Sequence, residues 1–424
     1  MEAEQVFARE AALRPPDDTV KRAPIKRVAI FAEAFLPKID GVSKTAYLTL
    51  RYLQKTGREV LVFAPDIAPS HVGGSEVVAL PSLGVPAAPE TRVALPHPVV
   101  TQKLHEFQPD LIHLFSPALL SVSGMVVGRQ MRIPVIANYQ TDLPGYAQAY
   151  GYPFLSGLVA DWLRFVHNGC HLTLVPSHST MRMLRDQHYR RLRRWGRGVN
   201  GEQFNPARRS RAWRDRLLAG RPDDSLLCVY VGRLANEKRI DLLLETASTP
   251  GVALTIIGDG ALRPELENRF AGTGTHFTGY LYGEDLADAY AAADVFLFTG
   301  ANETFGQVVQ EAQSSGLPTV VIDQGGIVDL VEEGVTGYLC PADGRAFAET
   351  VMRLRDDRAL LARLSANARA AVERNSWDAV MTELEGYYNE AVDLNARANA
   401  MHVHPRWAVS LLGLRSPFLF GRHN

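Results

Sequence analysis

The chain has 424 residues, 46% of them hydrophobic, enough for two apolar cores of ordinary domain size. Its 45 basic and 46 acidic side chains nearly cancel, which excludes the broad positive surface of a nucleic-acid binder. Three cysteines, Cys170, Cys228 and Cys340, stand far apart, offering neither a disulfide framework nor a zinc site, so a reducing, cytoplasmic setting is expected.

Residues 1–24 carry acids and no apolar stretch, so they read as a flexible tail rather than a signal peptide or membrane anchor. Arg27 to Ala32 is a short apolar strand, and helical spacing begins after Val42, beyond the loop FLPKIDGVSKT. The Asp40-Gly41 turn within that loop marks a sharp bend or a close backbone approach. Strand-like runs recur at Glu59 to Ala64, Val77 to Leu80, Leu111 to Phe115, Val135 to Tyr139 and Leu172 to Pro176. The uncharged run from Leu111 to Gly128 has the length of a spanning helix. His113, three serines and Pro117 interrupt it, so a buried strand followed by a helix explains it better.

Arginine clusters at Arg190 to Arg197 (RRLRRWGR) and Arg208 to Arg216 (RRSRAWRDR), which reads as a solvated linker face in the middle of the chain. A second strand series opens at Leu226 to Val231. It continues through Leu254 to Ile257, His276 to Thr278, Val295 to Phe298, Thr319 to Ile322 and a short run at Gly337. Strands alternating with helices predict parallel sheets covered on both faces, hence two doubly wound α/β units with a boundary between Gly198 and Asp224. An alanine- and arginine-rich helical stretch follows from Asp343 to Glu373, and Ser376 is placed to N-cap a helix reaching about Leu394. The last segment, HPRWAVSLLGLRSPFLFGRHN, is apolar, aromatic and basic; a disordered end, a packed tail and a membrane-surface contact all fit it.

The chemistry concentrates between Phe296 and Gly316. A strand there runs into a polar turn, and a helix starts near Phe305 and Gly306. Its first N–H groups and its dipole suit an anion, and Gly306 lets a phosphate approach without a Cβ in the way. Glu303 and Glu311 frame this turn as E-x7-E. Carboxylates beside an anion hole suit sugar hydroxyls, although Glu303 could simply complement the helix dipole and Glu311 could be solvated. Upstream, VGRLANEKRIDLL places Gly232, Arg233, Glu237 and Lys238 at the carboxyl end of a strand, where parallel sheets bind ligands. Arg233 and Lys238 could neutralise a diphosphate, or be an ordinary surface pair. IIGDGALRPEL, TGYLYGEDL and IDQGGIVDLV repeat the pattern of a strand ending in a glycine turn.

In this order and spacing, GR-x3-EK, IGDG, the Thr278-Gly279 turn, E-x7-E and GGIVDLV resemble glycosyltransferase family four, over most of Arg27 to Leu394. The resemblance implies the GT-B fold, two Rossmann-like doubly wound α/β domains facing a cleft, with a C-terminal helix crossing back to the N-terminal domain. The division is then a tail at 1–24, an acceptor-side domain at 25–200, a nucleotide-sugar domain at 201–376, the crossing helix at 377–396 and a tail at 397–424. It further implies a retaining enzyme that moves a hexose from a nucleotide-diphosphate sugar to an acceptor hydroxyl. The donor would be a co-substrate such as GDP-mannose, UDP-glucose or UDP-sulfoquinovose. No Asp-x-Asp motif is present, so no metal or other cofactor is expected.

By the same resemblance Arg233 and Lys238 hold the diphosphate, with Gly232 and Gly258 at the neighbouring strand ends. Phe305, Gly306 and Gln307 lend backbone donors, Glu311 takes the ribose and Glu303 the transferred sugar. Leu281, in the loop Tyr280 to Tyr282, lies near the nucleobase. FLPKIDGVSKT matches the loop that closes over the diphosphate, with Gly41 at its tip, and VPS at Val175 to Ser177 and RGVN at Arg197 to Asn200 match as well. Where many relatives have Tyr-His-Thr near the reacting carbon, this chain has Tyr139-Gln140-Thr141-Asp142. Gln140 can orient a hydroxyl or stabilise charge but cannot take a proton. Asp142 is the nearest titratable candidate, or else caps a turn.

Within the family, FLPKIDGVSKT, YQTDLPGYAQAYG, RRWGRGV and GYLYGEDLADAYAAADVF look most like bacterial transferases that glycosylate diacylglycerol-type lipids. A lipid acceptor and a peripheral contact with an anionic membrane, on the inner face of the cell membrane, follow from that likeness. A soluble sugar acceptor and a nucleotide-sugar epimerase on the same fold are the alternatives. Trp195 among the arginines of Arg190 to Arg197, and the tail Arg406 to Arg422 with Trp407, Phe418 and Phe420, are the expected membrane-facing segments.

Overall fold

The computed structural model describes residues 3–11, 23–38, 40–85, 88–115, 117–145 and 153–400. The first half contains α1 (Ala3–Ala11), β1 (Arg27–Ala32), α2 (Gly41–Lys55), β2 (Glu59–Pro65), β3 (His71–Val72), β4 (Ser75–Leu80), β5 (Ser82–Val85) and β6 (Ala88–Ala94). It continues with α3 (Pro98–Phe107), β7 (Leu111–Phe115), α4 (Leu120–Gln130), β8 (Val135–Asn138), α5 (Pro153–Gly169), β9 (Leu172–Val175), α6 (His178–Asp186) and β10 (Leu192–Arg194). The second half contains α7 (Arg211–Leu218), β11 (Leu226–Val231), α8 (Leu244–Ala247), β12 (Val252–Ile257), α9 (Arg263–Arg269), β13 (His276–Gly279), α10 (Gly283–Ala292) and β14 (Val295–Phe298). There follow α11 (Gln307–Ser314), β15 (Thr319–Ile322), β16 (Gly337–Cys340), α12 (Gly344–Asp356), α13 (Arg358–Val372) and α14 (Trp377–Ala400).

Two sheets result, ordered β10-β9-β8-β7-β1-β2-β4-β3 and β13-β12-β11-β14-β15-β16, with β5 and β6 as a separate hairpin. The second sheet is parallel throughout, and the first is parallel except for the β3–β4 edge. Strands buried on both faces have no polar side to show, which is why β7 (LIHLF) and β11 (LLCVYV) are nearly continuous apolar runs and wholly buried. Strand order reverses between β1 and β7 and between β11 and β14. Crevices at such switch points lie at the carboxyl ends of the strands. This is the expected two-domain doubly wound fold.

The crossing helix α14 is the main joint. Trp377, Met381, Leu384, Tyr388 and Ala391 form a helical stripe buried against the amino-terminal domain, in one apolar cluster with Phe115 and Trp195. Glu385 sits within that face and receives two hydrogen bonds from Arg58, at 2.6 and 2.9 Å, one from the Tyr52 hydroxyl at 2.9 Å and one from Ala23 N–H at 3.1 Å. His113 on β7 meets the Tyr388 hydroxyl at 2.9 Å and Asn138 Oδ1 at 3.0 Å, and burial pulls its pKa down to about 4, so it works as a neutral imidazole.

Four expectations are corrected here. The flexible tail at 1–24 contains α1, because Ala3, Val6 and Phe7 at i, i+3, i+4 form a small apolar face that docks on α2, with the Phe7 ring 5.8 Å from that of Tyr47. The run Arg190 to Arg197 is not a linker, since it contains the edge strand β10, although Arg190, Arg191, Arg193 and Arg194 are exposed as a solvated face requires. Trp195 cannot reach a membrane: it is 1% exposed, lies under α14 and donates its indole N–H to Val380 O at 2.9 Å. Arg193 pairs with Glu390, and Arg191 donates to Cys170 O at 2.8 Å. The run Arg208 to Arg216 does behave as a solvated face, pairing with Glu284, Asp288, Asp294, Asp215 and Asp223. The expected tail at 397–424 begins inside α14, which extends to Ala400, and the remainder lies outside the described residues.

Removing one member of a buried ion pair strands the other. Glu385→Ala is therefore expected to destabilise the amino-terminal domain by about 3–5 kcal/mol, while an Arg58→Met, Glu385→Leu double variant should recover most of the loss. Urea unfolding followed by tryptophan fluorescence checks both.

Candidate functional site

The turn from β14 into α11 has the geometry of an anion site. Gly306 is the N-cap, at φ +90 and without a side-chain cap, so the first N–H groups of α11 face outward unpaired by the helix. A Cβ on Gly306 would stand 2.4 Å from Ile327 Cγ2, so packing as well as φ demands glycine there. Ile327 belongs to the short 3-10 turn Gly325–Leu330. Gly325 and Gly326 press against the carbonyls of Ala301 and Thr304, and Gly326 N–H donates to Glu303 O at 2.5 Å. The GG pair thus buttresses the E-x7-E turn from behind.

Arg233 and Lys238 stand at the carboxyl end of β11, as expected. Lys238 is carried by a short 3-10 turn whose carbonyl receives the Thr299 hydroxyl at 2.6 Å; its ammonium pairs with Glu303 and lies 5.7 Å from the Phe298 ring centre. Arg233 is held by Glu237 at 2.7 Å, a carboxylate whose side chain is 1% exposed. The pairing assigns Glu237 the task of aiming the guanidinium. Gly232 and Gly258 line this end for a different reason: a Cβ on Gly258 would lie 1.9 Å from Gly232 O, so these glycines let two strand ends close up. Leu281 is partly buried against the core, and beside it Tyr280 and Tyr282 stack at 5.8 Å on the surface, an aromatic platform next to Asp259.

The amino-terminal domain reaches the same turn through Thr304. The Thr304 carbonyl accepts from Ser177, the N-cap of α6, and from Thr180 on α6, at 2.8 and 3.2 Å, and its hydroxyl donates to Gln140 O at 2.6 Å. Gln140 follows β8, is 8% exposed, and has neither its amide oxygen nor its amide nitrogen hydrogen-bonded among the described residues. A buried amide with all its capacity unused is costly unless a ligand or water fills it. Asp142 accepts from Gly145 N–H at 3.2 Å and the Tyr139 hydroxyl at 3.3 Å, the turn-capping arrangement. Phe305 is buried, and Gln307 uses its side chain to donate to Gly198 O at 3.0 Å.

Thr304, Lys44 and Arg197 adjoin the turn or α11 without having been given a role from sequence, and Glu33 lies at the carboxyl end of β1. Lys44 on α2 pairs with Glu311 at 3.3 Å. Glu33, just past β1, accepts from the N–H groups of Ala118 and Ser121 at the start of α4, and burial lifts its pKa to about 7. Arg197 is 7% exposed, packs 5.6 Å from the centre of the Trp195 ring and has its pKa lowered by burial to about 9.

Residues 39–203 match the description Glycosyltransferase Family 4 and residues 213–371 match Glycosyl transferases group 1. A GDP-mannose-dependent alpha-mannosyltransferase of Mycobacterium tuberculosis is 41% identical over 86% of this chain and 97% of its own length. The chain is a family-four glycosyltransferase. A sulfoquinovosyl transferase of Arabidopsis thaliana is 32% identical over 93% of this chain and 79% of its own. In fold, this glycosyltransferase is similar to sucrose-phosphate synthase from Thermosynechococcus elongatus, with a TM-score of 0.69 and 20% identity over 86% of this chain and 98% of that one. The fold is GT-B, and the enzyme works from a nucleotide-sugar donor.

The glycines of this glycosyltransferase separate by what surrounds them. A Cβ on Gly41 would meet nothing within 4 Å, so protein packing does not demand that glycine. Gly41→Ala at the start of α2 is expected to leave stability unchanged or raise it by up to about 1 kcal/mol, while raising the donor KM several-fold. Gly306→Ala is expected to cost about 1–3 kcal/mol through strain against Ile327. Thermal unfolding and donor kinetics on the two variants distinguish these outcomes.

Proposed function

We propose that this enzyme transfers mannose from GDP-mannose, with retention, to a hydroxyl of a diacylglycerol-type glycolipid at a membrane surface. The observation carrying the transferase chemistry is the convergence of Arg233, Lys238 and the uncapped start of α11 on one turn that both domains grip. Full-length similarity to GDP-mannose-dependent mannosyltransferases supports the choice of donor.

The guanidinium, the ammonium and the helix N–H groups stabilise negative charge on the departing diphosphate, which is electrostatic catalysis needing no metal. Lys238 leaves Glu303 for a phosphate oxygen, and Glu303 turns to the sugar hydroxyls. Retention by a covalent intermediate would need a carboxylate pair flanking the sugar, whereas Glu311 is tied to Lys44 and Glu303 alone is left to turn toward it. The acceptor hydroxyl instead approaches from the leaving-group side and passes its proton to the departing phosphate oxygen. Gln140, on the facing domain, gives its idle amide to the mannosyl hydroxyls.

A lipid acceptor also needs an apolar surface near the cleft, and α5 presents one. Phe154 is 76% exposed, Leu158 69% and Leu155 38%. Ser156 donates to Pro144 O, tying this end of α5 to the loop that follows Gln140. No helix among the described residues is long and apolar enough to cross a membrane. The contact proposed is therefore with the surface of the bilayer, through α5 in place of Trp195.

Arg233→Ala and Lys238→Ala are each expected to lower kcat about ten- to a hundredfold, from the loss of about 1.5–3 kcal/mol of charge-assisted contact. Radiolabelled GDP-mannose with a lipid extract measures this, and EDTA should leave the wild-type rate unchanged. Near-normal turnover in both variants would remove the diphosphate assignment. Transfer to soluble sugars but never to lipid would remove the acceptor. Replacing Phe154 and Leu158 together by serine should weaken sedimentation with liposomes while sparing donor binding.

A further inference from the structure

Glu311 lies in the second turn of α11, 5% exposed, and its carboxylate oxygen is 3.3 Å from the ammonium of Lys44, a residue of the other domain 267 positions away. Both side chains are 7% exposed, so the pair is shut off from solvent screening. The position of Lys44 is fixed at the start of α2. Asp40 caps the helix by accepting from the N–H groups of Val42 and Ser43 at 3.0 and 2.8 Å, and Ser43 closes the capping box while donating its hydroxyl to Lys38 O at 2.6 Å. With the first turn locked, Lys44 stands three residues beyond Gly41 and projects from the amino-terminal domain onto the carboxylate.

A carboxylate this buried pays a large desolvation cost to remain charged, and a neighbouring cation offsets it. The ionised form is acceptor-only, with about four acceptor positions on its two oxygens, enough for an ammonium and a diol together. We infer that Lys44 is a positioning residue of the donor site, keeping Glu311 ionised and aimed so that it receives the ribose hydroxyls of the nucleotide. This rests on the reading of Glu311 as the ribose ligand. It also makes the ribose subsite a product of both domains, complete only when α2 lies against α11.

The test compares binding of GDP and 2′-deoxy-GDP by calorimetry, with UDP alongside to expose a wrong choice of base. The wild type is expected to favour GDP over its deoxy analogue at least tenfold. Glu311→Gln should abolish that preference, and Lys44→Met should abolish most of it, with the double variant no worse than Glu311→Gln alone. Lys44→Arg should keep it. A purely structural lysine could weaken both nucleotides but would leave their ratio untouched. Circular dichroism confirms folding, and Lys44→Gln serves if Lys44→Met does not fold. If Glu311→Gln leaves the ratio unchanged, the ribose reading fails; if it abolishes the ratio while Lys44→Met retains it, the role of Lys44 alone is overturned.

Discussion

Thr304 sits where three structural demands meet. Its carbonyl is taken by two hydroxyls from the amino-terminal domain, its own hydroxyl is given to Gln140 O, and the adjoining Glu303 carbonyl is taken by Gly326 N–H. A turn gripped from both domains cannot drift, so the start of α11 and Glu303 keep their aim without help from a bound donor. Preorganisation of this kind is what lets hydrogen-bond donors stabilise developing charge without first rearranging.

Three of the cations around that turn follow a common rule. Lys238 rests on Glu303, Arg233 on Glu237 and Lys44 on Glu311. A cleft holding unpartnered positive charge would repel itself and favour opening, whereas paired charge tolerates burial. Glu237 is the most deeply buried of the three carboxylates, its side chain 1% exposed against 24% for Glu303 and 7% for Glu311.

The doubly wound fold was legible because buried parallel strands announce themselves as apolar runs: β7, β11, β14 and β15 fall where the pattern placed them. The short or edge strands β3, β5, β6 and β10 were missed, having no second apolar face to mark them. Glu303, Glu311, Arg233 and Lys238 stood out as candidates because glycine turns at strand ends precede or flank them, and the family resemblance, rather than spacing, gave them roles. Lys44 did not stand out, because its partner lies in the other domain, and nothing around Lys44 records that contact. Trp195 misled for a related reason: a tryptophan among arginines looks the same whether bilayer or α14 covers it. Gly258 and Gly306 read alike in sequence, yet one permits two strand ends to meet and the other a left-handed cap.

The two passages of chain between the domains run side by side. Val199 N–H donates to Asn375 O at 2.8 Å, and a Cβ on Gly198 would fall 2.4 Å from Trp377 N. Crossovers in such contact act as a single pivot rather than two independent tethers: sliding of one domain along the other would tear the contact, while rotation about it would not. Any rotation about it must also release the contacts of Ser177 and Thr180 with Thr304, so the pivot and the gripped turn together fix the angle at which the two domains rest. Bulk at position 198 would wedge that pivot and change the angle at which the cleft rests, an effect on reach rather than on chemistry.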